Sequence, residues 1–443
     1  ADFYRGMKTC NTFMDKIDLV PNMDPNLKAR MIAEMRVLRA WQYFKLTNYY
    51  GDVPFFTSDI TLEQARTISR TNVATIRKFI HDEYEASIDA LPTNKSLAKA
   101  ETGRLTKGAV IAMNIRLYLY EGNYEKVVEW CEKLMNGNQY GTYSLNPTYQ
   151  GIFDIKNEGN AEVIMDVQYV DRTIRNWSDM NYLLPRSVGA PLNSAAPTQS
   201  LVDNYLMLSG NTIDVQGSGS DYYDENNPYA NRDPRLTATV VYHGYRWDAS
   251  TTINIKPGSN GSTDSKVDEY STSDSNGTPT GYFVRKWYDP TTSNLYSFAS
   301  GLNIIFFRYA EILMNYAEAK YELGEMDASV WDATIRKIRE RAGFTASKAL
   351  DYSQQSGDMQ KIIRNERRSE FALEGLRYYD IMRWKAGKEY LVGTVLGAKF
   401  ADNNTSYIRL DYRMFNEQRD YLWAVPQAQV VLNPNLAPNN KGY

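Results

Sequence analysis

Nine aromatic residues between positions 140 and 300 stand among Asn, Asp, Arg and Ser: Trp177, Tyr182, Tyr222, Tyr223, Tyr229, Trp247, Trp287, Tyr288 and Tyr296. An aromatic ring can stack on the apolar face of a pyranose while neighbouring amides, carboxylates and guanidinium groups bond its hydroxyls. Trp177, Tyr182, Tyr222, Tyr223, Trp247 and Trp287 are the candidate ligand-binding residues on this reading. The competing reading of each is ordinary packing, since large helical proteins also place Tyr at seams. The run DYYDENN, residues 221–227, gathers hard oxygen ligands and reads either as a calcium loop or as a solvated loop. It lacks the spacing and glycine of an EF-hand, and no metal is expected.

Other chemistry is poorly supplied. The chain has two His, His81 and His243, and two Cys, Cys10 and Cys131, in no metal or disulfide pattern. It has no phosphate loop, dinucleotide glycine motif, nucleophile elbow or His-Glu zinc motif. No cofactor is expected. A glycosidase needs only two carboxylates, so that reading stays open. The net charge of −3 over 443 residues gives no footprint for nucleic acid. No apolar run approaches the roughly 18 residues of a membrane span.

The stretch IIRNERRSEFALEGLRYYDIMRWK, residues 362–385, poses a different question. On a helix Glu366, Glu370 and Glu374 share a face, with Arg367, Arg368, Arg377 and Arg383 three or four residues from carboxylates. Phe371, Leu376, Ile381, Met382 and Trp384 add apolar area. Such a helix is half buried, and its charges must then be paired. The expected role is a strut locked by ion pairs.

The elements that would position these residues are mostly helices. Helical spacing runs over 27–50 to a stop at Gly51, over 71–91 to Pro92, and over the pair 105–120 and 124–135 joined by Glu121-Gly122-Asn123. That pair has the small residues, turn and length of a tetratricopeptide hairpin, with a period of about 34 residues. Residues 308–343 form a second copy, and 33–50 the first half of another. The interruption carries two strand candidates, NAEVIMDVQY (160–169) and LTATVVY (236–242), and a polar loop at 256–281. The expected regions are a helical 1–139, an irregular ligand-binding insertion 140–300, and a helical 301–443 with a closing C-terminal segment.

Several motifs carry a family resemblance in the right order. AEMRVLRAWQYFKLTNYYGDVPFF (33–56), NRDPRL (231–236), FVRKW (283–287), RYAEILMNYAEA (308–319) with 362–385, and YLWAVPQAQVVLNPNLAPNNKGY (421–443) resemble the signature segments of the SusD/RagB family of surface lipoproteins of Bacteroidetes. The resemblance implies a mainly α fold, a tetratricopeptide-like superhelix of about four hairpins packed on a loop-rich domain with a few short strands. It implies a non-catalytic glycan or oligosaccharide binder on the extracellular face of the outer membrane, partnered by a SusC-like TonB-dependent transporter. It also implies an N-terminal lipid anchor that would precede ADFYRGMKTC, where this sequence opens in helical pattern. The family's motifs carry no binding residues onto this chain. A tetratricopeptide interaction module without a small ligand is the remaining alternative.

Overall fold

The computed structural model describes all residues except 1, 172, 174–181, 191–192, 194, 261–267, 272–276, 293–299 and 401–405. Trp177 and Tyr296 lie outside the described residues. The chain is mainly helical and separates into two compact units: residues 1–142, 381–391 and 415–443 in one, residues 143–380 and 392–414 in the other. The region 301–443 therefore contributes to both units.

In the first unit, α1 (Asp2–Lys16) packs on α2 (Pro25–Tyr50). The Asp24 side chain caps α2, Pro25 takes the first turn, where its missing N–H is no loss, and Gly51 (φ 67°) ends the helix. The short strands β1 (Val53–Pro54) and β2 (Arg70–Thr71) pair on either side of α3 (Leu62–Thr67). Next come α4 (Val73–Ser87) and the predicted hairpin, α5 (Lys107–Glu121) and α6 (Tyr124–Met135), with Gly122 left-handed at its turn. Every residue of α5 from Gly108 to Leu119 is buried, which is why that helix is so rich in small and aliphatic side chains. The C-terminal segment returns to this unit. The Trp423 ring lies 4.6 Å from Tyr49, and Asn440 donates to the carbonyls of Tyr50 and Trp423.

The second unit opens with β3 (Val163–Val167), the strand expected within 160–169, and α7 (Gln199–Asn204). The run 236–242 corrects the sequence reading. It is mostly α8 (Pro234–Thr239), with only β4 (Val240–Val241) extended. The start signal outweighs the β-branched composition: Asp233 caps the helix at the Arg235 N–H, and Pro234 fits its first turn. After β5 (Tyr245–Arg246), β6 (Thr252–Ile253) and β7 (Phe283–Val284) comes β8 (Ile304–Arg308). Strand pairs β3–β8, β4–β7 and β5–β6 are antiparallel.

The second repeat copy follows. α9 (Tyr309–Glu322) is paired by a helix that Thr334 splits into α10 (Ala328–Ala333) and α11 (Ile335–Ala342). Then come α12 (Ser347–Leu350), α13 (Met359–Glu370) and α14 (Arg377–Arg383), and finally the antiparallel pair β9 (Gly393–Leu396) and β10 (Arg409–Arg413). The charged stretch is thus two helices. Leu373 (φ 64°) and Gly375 (φ 78°) turn the chain between them.

That stretch is the strut its sequence predicts. Among the described residues five cations with buried side chains, Arg235, Lys286, Arg308, Arg339 and Arg341, meet five carboxylates with buried side chains, Glu162, Asp233, Glu366, Glu370 and Glu374. Arg308 alone reaches Glu162 at 2.7 Å, Glu370 at 2.6 Å and Glu374 at 2.7 Å. The network closes in charge, which is the condition for so many ions to be tolerated away from water. Arg367 pairs separately with Asp380 at 2.8 Å.

Candidate functional site

A pocket of about 170 Å³ opens in the second unit between segments far apart in sequence. Its walls are Tyr223 and Tyr229 from the loop after residue 220, Tyr282 beside β7, and Tyr407 ahead of β10. Gln199 on α7, Glu225, Asn226 and Lys399 supply its polar groups. The β9–β10 pair approaches the 280–282 segment closely enough for the Ala398 N–H to donate to the Thr280 carbonyl at 2.7 Å. Glycine permits this approach. A Cβ on Gly281 would stand 2.6 Å from that of Ala398, and the residue is left-handed at φ 80°.

The tyrosines are wired by hydrogen bonds. Tyr229 Oη donates to Tyr282 Oη at 3.3 Å, and Tyr282 Oη donates to Gln199 Oε1 at 2.6 Å. Gln199 Nε2 in turn donates to Asp203 Oδ1 at 2.7 Å. Burial pushes the Tyr229 hydroxyl up to about 12 and raises those of Tyr223 and Tyr282, so the wall stays neutral. Tyr229 is stacked on Tyr242 at 3.9 Å, and the Arg232 guanidinium backs the Tyr223 ring at 5.5 Å. Lys399 pairs with Glu225 at 3.0 Å across the mouth. Rigid aromatic faces beside an amide, an ammonium and a carboxylate suit a ligand dense in hydroxyls. Among the described lining residues Glu225 is the single carboxylate.

The five sequence candidates among the described residues do not converge on one place. Tyr223 lines this pocket. Tyr222 turns toward Gly217 instead, its ring 2.3 Å from where a Cβ there would stand. Trp247 lies 4.8 Å from Tyr288, with the Arg285 guanidinium 4.4 Å from its ring. Tyr182 and Trp287 meet at a second cavity, and Trp177 lies outside the described residues. Tyr282 and Tyr407 escaped sequence reasoning: one adjoins a strand and the other lies outside the insertion. The glycines next to Tyr282 and in the 393–397 segment were the available signal. In the 221–227 run, Asp224 spends its carboxylate on Asn226 and Asn227, and among the described residues no group of three His, Cys, Asp or Glu could hold a metal.

A family model described as the SusD family matches residues 152–443, well over half of the chain. The chain belongs to the SusD family. A second model, described as starch-binding associating with outer membrane, matches residues 1–119. SusD-like protein P25 of Formosa agariphila is 26% identical over 404 residues, 86% of this chain and 69% of that protein. The starch-binding protein SusD of Bacteroides thetaiotaomicron is 24% identical over 98% of this chain and 76% of its own length. A solved SusD-like carbohydrate binding protein from Bacteroides fragilis is similar with a TM-score of 0.85 at 27% identity, covering 98% of this chain and 84% of that one. The SusD family accounts for the helical hairpins interrupted by a loop-rich insertion, and no helix among the described residues is long and apolar enough to cross a membrane.

Proposed function

We propose that this SusD-family protein is a non-catalytic glycan-binding protein of the outer-membrane surface, with Tyr223, Tyr229 and Tyr407 as its sugar platform and the buried Tyr282 bracing it from beneath. The observation that carries this reading is the tyrosine-walled pocket edged by Gln199, Glu225, Asn226 and Lys399. At about 170 Å³ it is smaller than the ~300–1,000 Å³ of a drug-type site. It therefore takes one ring of a longer chain and leaves the rest outside, as capture of a polymer requires. Platforms of this kind bind at micromolar to millimolar strength, about −8 to −4 kcal/mol. Weak capture suits transfer to a TonB-dependent transporter partner, with the protein held at the extracellular face by a lipid anchor. The names of the relatives support a carbohydrate ligand.

The test is native electrophoresis of the purified chain through gels that each contain one polysaccharide. Retardation in one gel, lost on Tyr223→Ala and Tyr407→Ala with folding intact, is the expected result. Free migration in every gel, together with no heat on titrating the matching oligosaccharides, would sink the proposal. Pull-down from outer-membrane extract tests the transporter partnership, and recovery of no TonB-dependent transporter would remove it.

A further inference from the structure

A second cavity of this unit, larger than the tyrosine pocket, is a different kind of site. It measures about 520 Å³, within the ~300–1,000 Å³ range of small-molecule pockets. Leu183, Val284, Trp287, Ile304, Ile305 and Leu373 form its walls. Glu374 also lines it, but both its oxygens are engaged by Arg308, at 2.7 and 2.8 Å, and one of them also by Lys286, at 2.7 Å. Its charge is answered from behind and is not available to a cationic ligand. Tyr182, 42% exposed, stands at the mouth with no hydroxyl partner among the described residues.

Backbone strain gathers at the same place. Trp287 (φ 69°) and Leu373 (φ 64°) are two of the five non-glycine residues with positive φ among the described residues, and both line this cavity. Bulky residues hold such conformations only where the surroundings over-determine them, and such sites concentrate where ligands bind. Here the cause is visible. Lys286, just before Trp287, bonds Glu374, just after Leu373, and also donates to the Ala372 carbonyl at 2.8 Å. The ion pair ties together the two segments that carry the strained residues, and both residues line the cavity.

We propose that this cavity binds a neutral aromatic ring, as the free compound or as the aryl substituent of a larger ligand. A bare sugar is a poor fit, because its hydroxyls would meet aliphatic walls and lose their partners in water. A ring loses less freedom on entering than a flexible acyl chain, and the Trp287 indole offers it an aromatic neighbour. A hydroxyl or linkage oxygen on the ring would remain at the mouth beside Tyr182.

The probe is 2-naphthol, titrated calorimetrically into the whole chain. Saturable 1:1 binding is expected, at least tenfold weaker in Ala195→Trp, which places an indole at the exposed edge of the cavity. Tyr407→Ala, in the separate tyrosine pocket, should bind the probe like the parent chain. Absence of saturable binding overturns the proposal, as does an Ala195→Trp variant that binds equally well. Loss of the probe in Tyr407→Ala also overturns it, by placing naphthol in the tyrosine pocket. The glycan reading survives each of these results.

Discussion

Replacing Glu370 by Gln tests whether the buried network is held by charge balance. Glu370 is fully buried and pairs with Arg308 at 2.6 Å, with Arg235 at 2.9 Å and with Arg341. Gln keeps the volume but removes one negative charge, leaving five buried cations against four carboxylates. Its amide N–H group would also face a guanidinium, donor to donor. Removing one partner of a buried pair costs about 3–5 kcal/mol. At roughly 2–4 °C per kcal/mol for a domain of this size, the melting temperature should fall by about 6–20 °C. Chemical unfolding followed by circular dichroism gives the same quantity. Adding Arg341→Met restores neutrality, so the double variant should lose clearly less than the sum of the two single ones. A loss below about 1 kcal/mol for Glu370→Gln, or strict additivity in the double variant, would refute the charge-balance argument. The same network fixes a pH dependence. Burial alone would raise the Glu370 carboxyl, but Arg341, Arg308 and Arg235 reverse that and hold it well below the ordinary 4.5. Glu366 and Glu374 are lowered in the same sense, against their burial, by Arg235 and Arg339 and by Arg308 and Lys286. A carboxylate lowered in the folded state stabilises above its unfolded value and loses that contribution as pH falls. Melting temperature should therefore drop as pH falls below 4.5, and more shallowly in Glu370→Gln.

Other expectations are equally direct. Gly281→Ala should destabilise by about 1–3 kcal/mol from backbone strain, and more from the Ala398 contact, read as a shifted denaturant midpoint. Asn440→Ala should cost about 1–3 kcal/mol by removing the hydrogen bonds its side chain makes with the Tyr50 and Trp423 carbonyls and the Arg70 guanidinium, visible in the same assay. Lys286→Met should weaken 2-naphthol binding in calorimetry while leaving retention by polysaccharide unchanged.

What the sequence disclosed depended on how local the signal was. The α5–α6 hairpin was legible because period, turn glycine and small residues all lie within one repeat. The strut was legible because Glu366, Glu370 and Glu374 keep four-residue spacing. That same spacing hid the break at Leu373, since Glu374 remains in phase although the helix ends at Glu370. The run 236–242 misled because β-branched residues were counted while Asp233-Pro234, a helix start, stood just before them. The tyrosine pocket was the least legible part. It joins Gln199 to Tyr407 through strand pairing and two close glycine approaches, which residue spacing does not reveal. The aromatic-rich insertion falls in the unit that holds both cavities, but its density does not say which rings share a wall.

Stability alone does not explain why the network consists of ions. Well-packed apolar residues of similar volume often serve a fold as well as buried ion pairs, or better. Ion pairs differ in being directional: a Lys286–Glu374 bond of 2.7 Å fixes the register of two chain segments, whereas aliphatic contacts tolerate sliding. The segments fixed here are the ones in which Trp287 and Leu373 adopt left-handed backbone. Burial lowers the Lys286 ammonium to about 8 even with Glu374 beside it, so the clamp is held at a cost in solvation that packing alone would not demand. Lys286→Met tests that account, because methionine fills the same space and supplies no direction. Retained folding with a lost aryl site would assign the pair to shaping the cavity, and unchanged probe binding would return it to the fold.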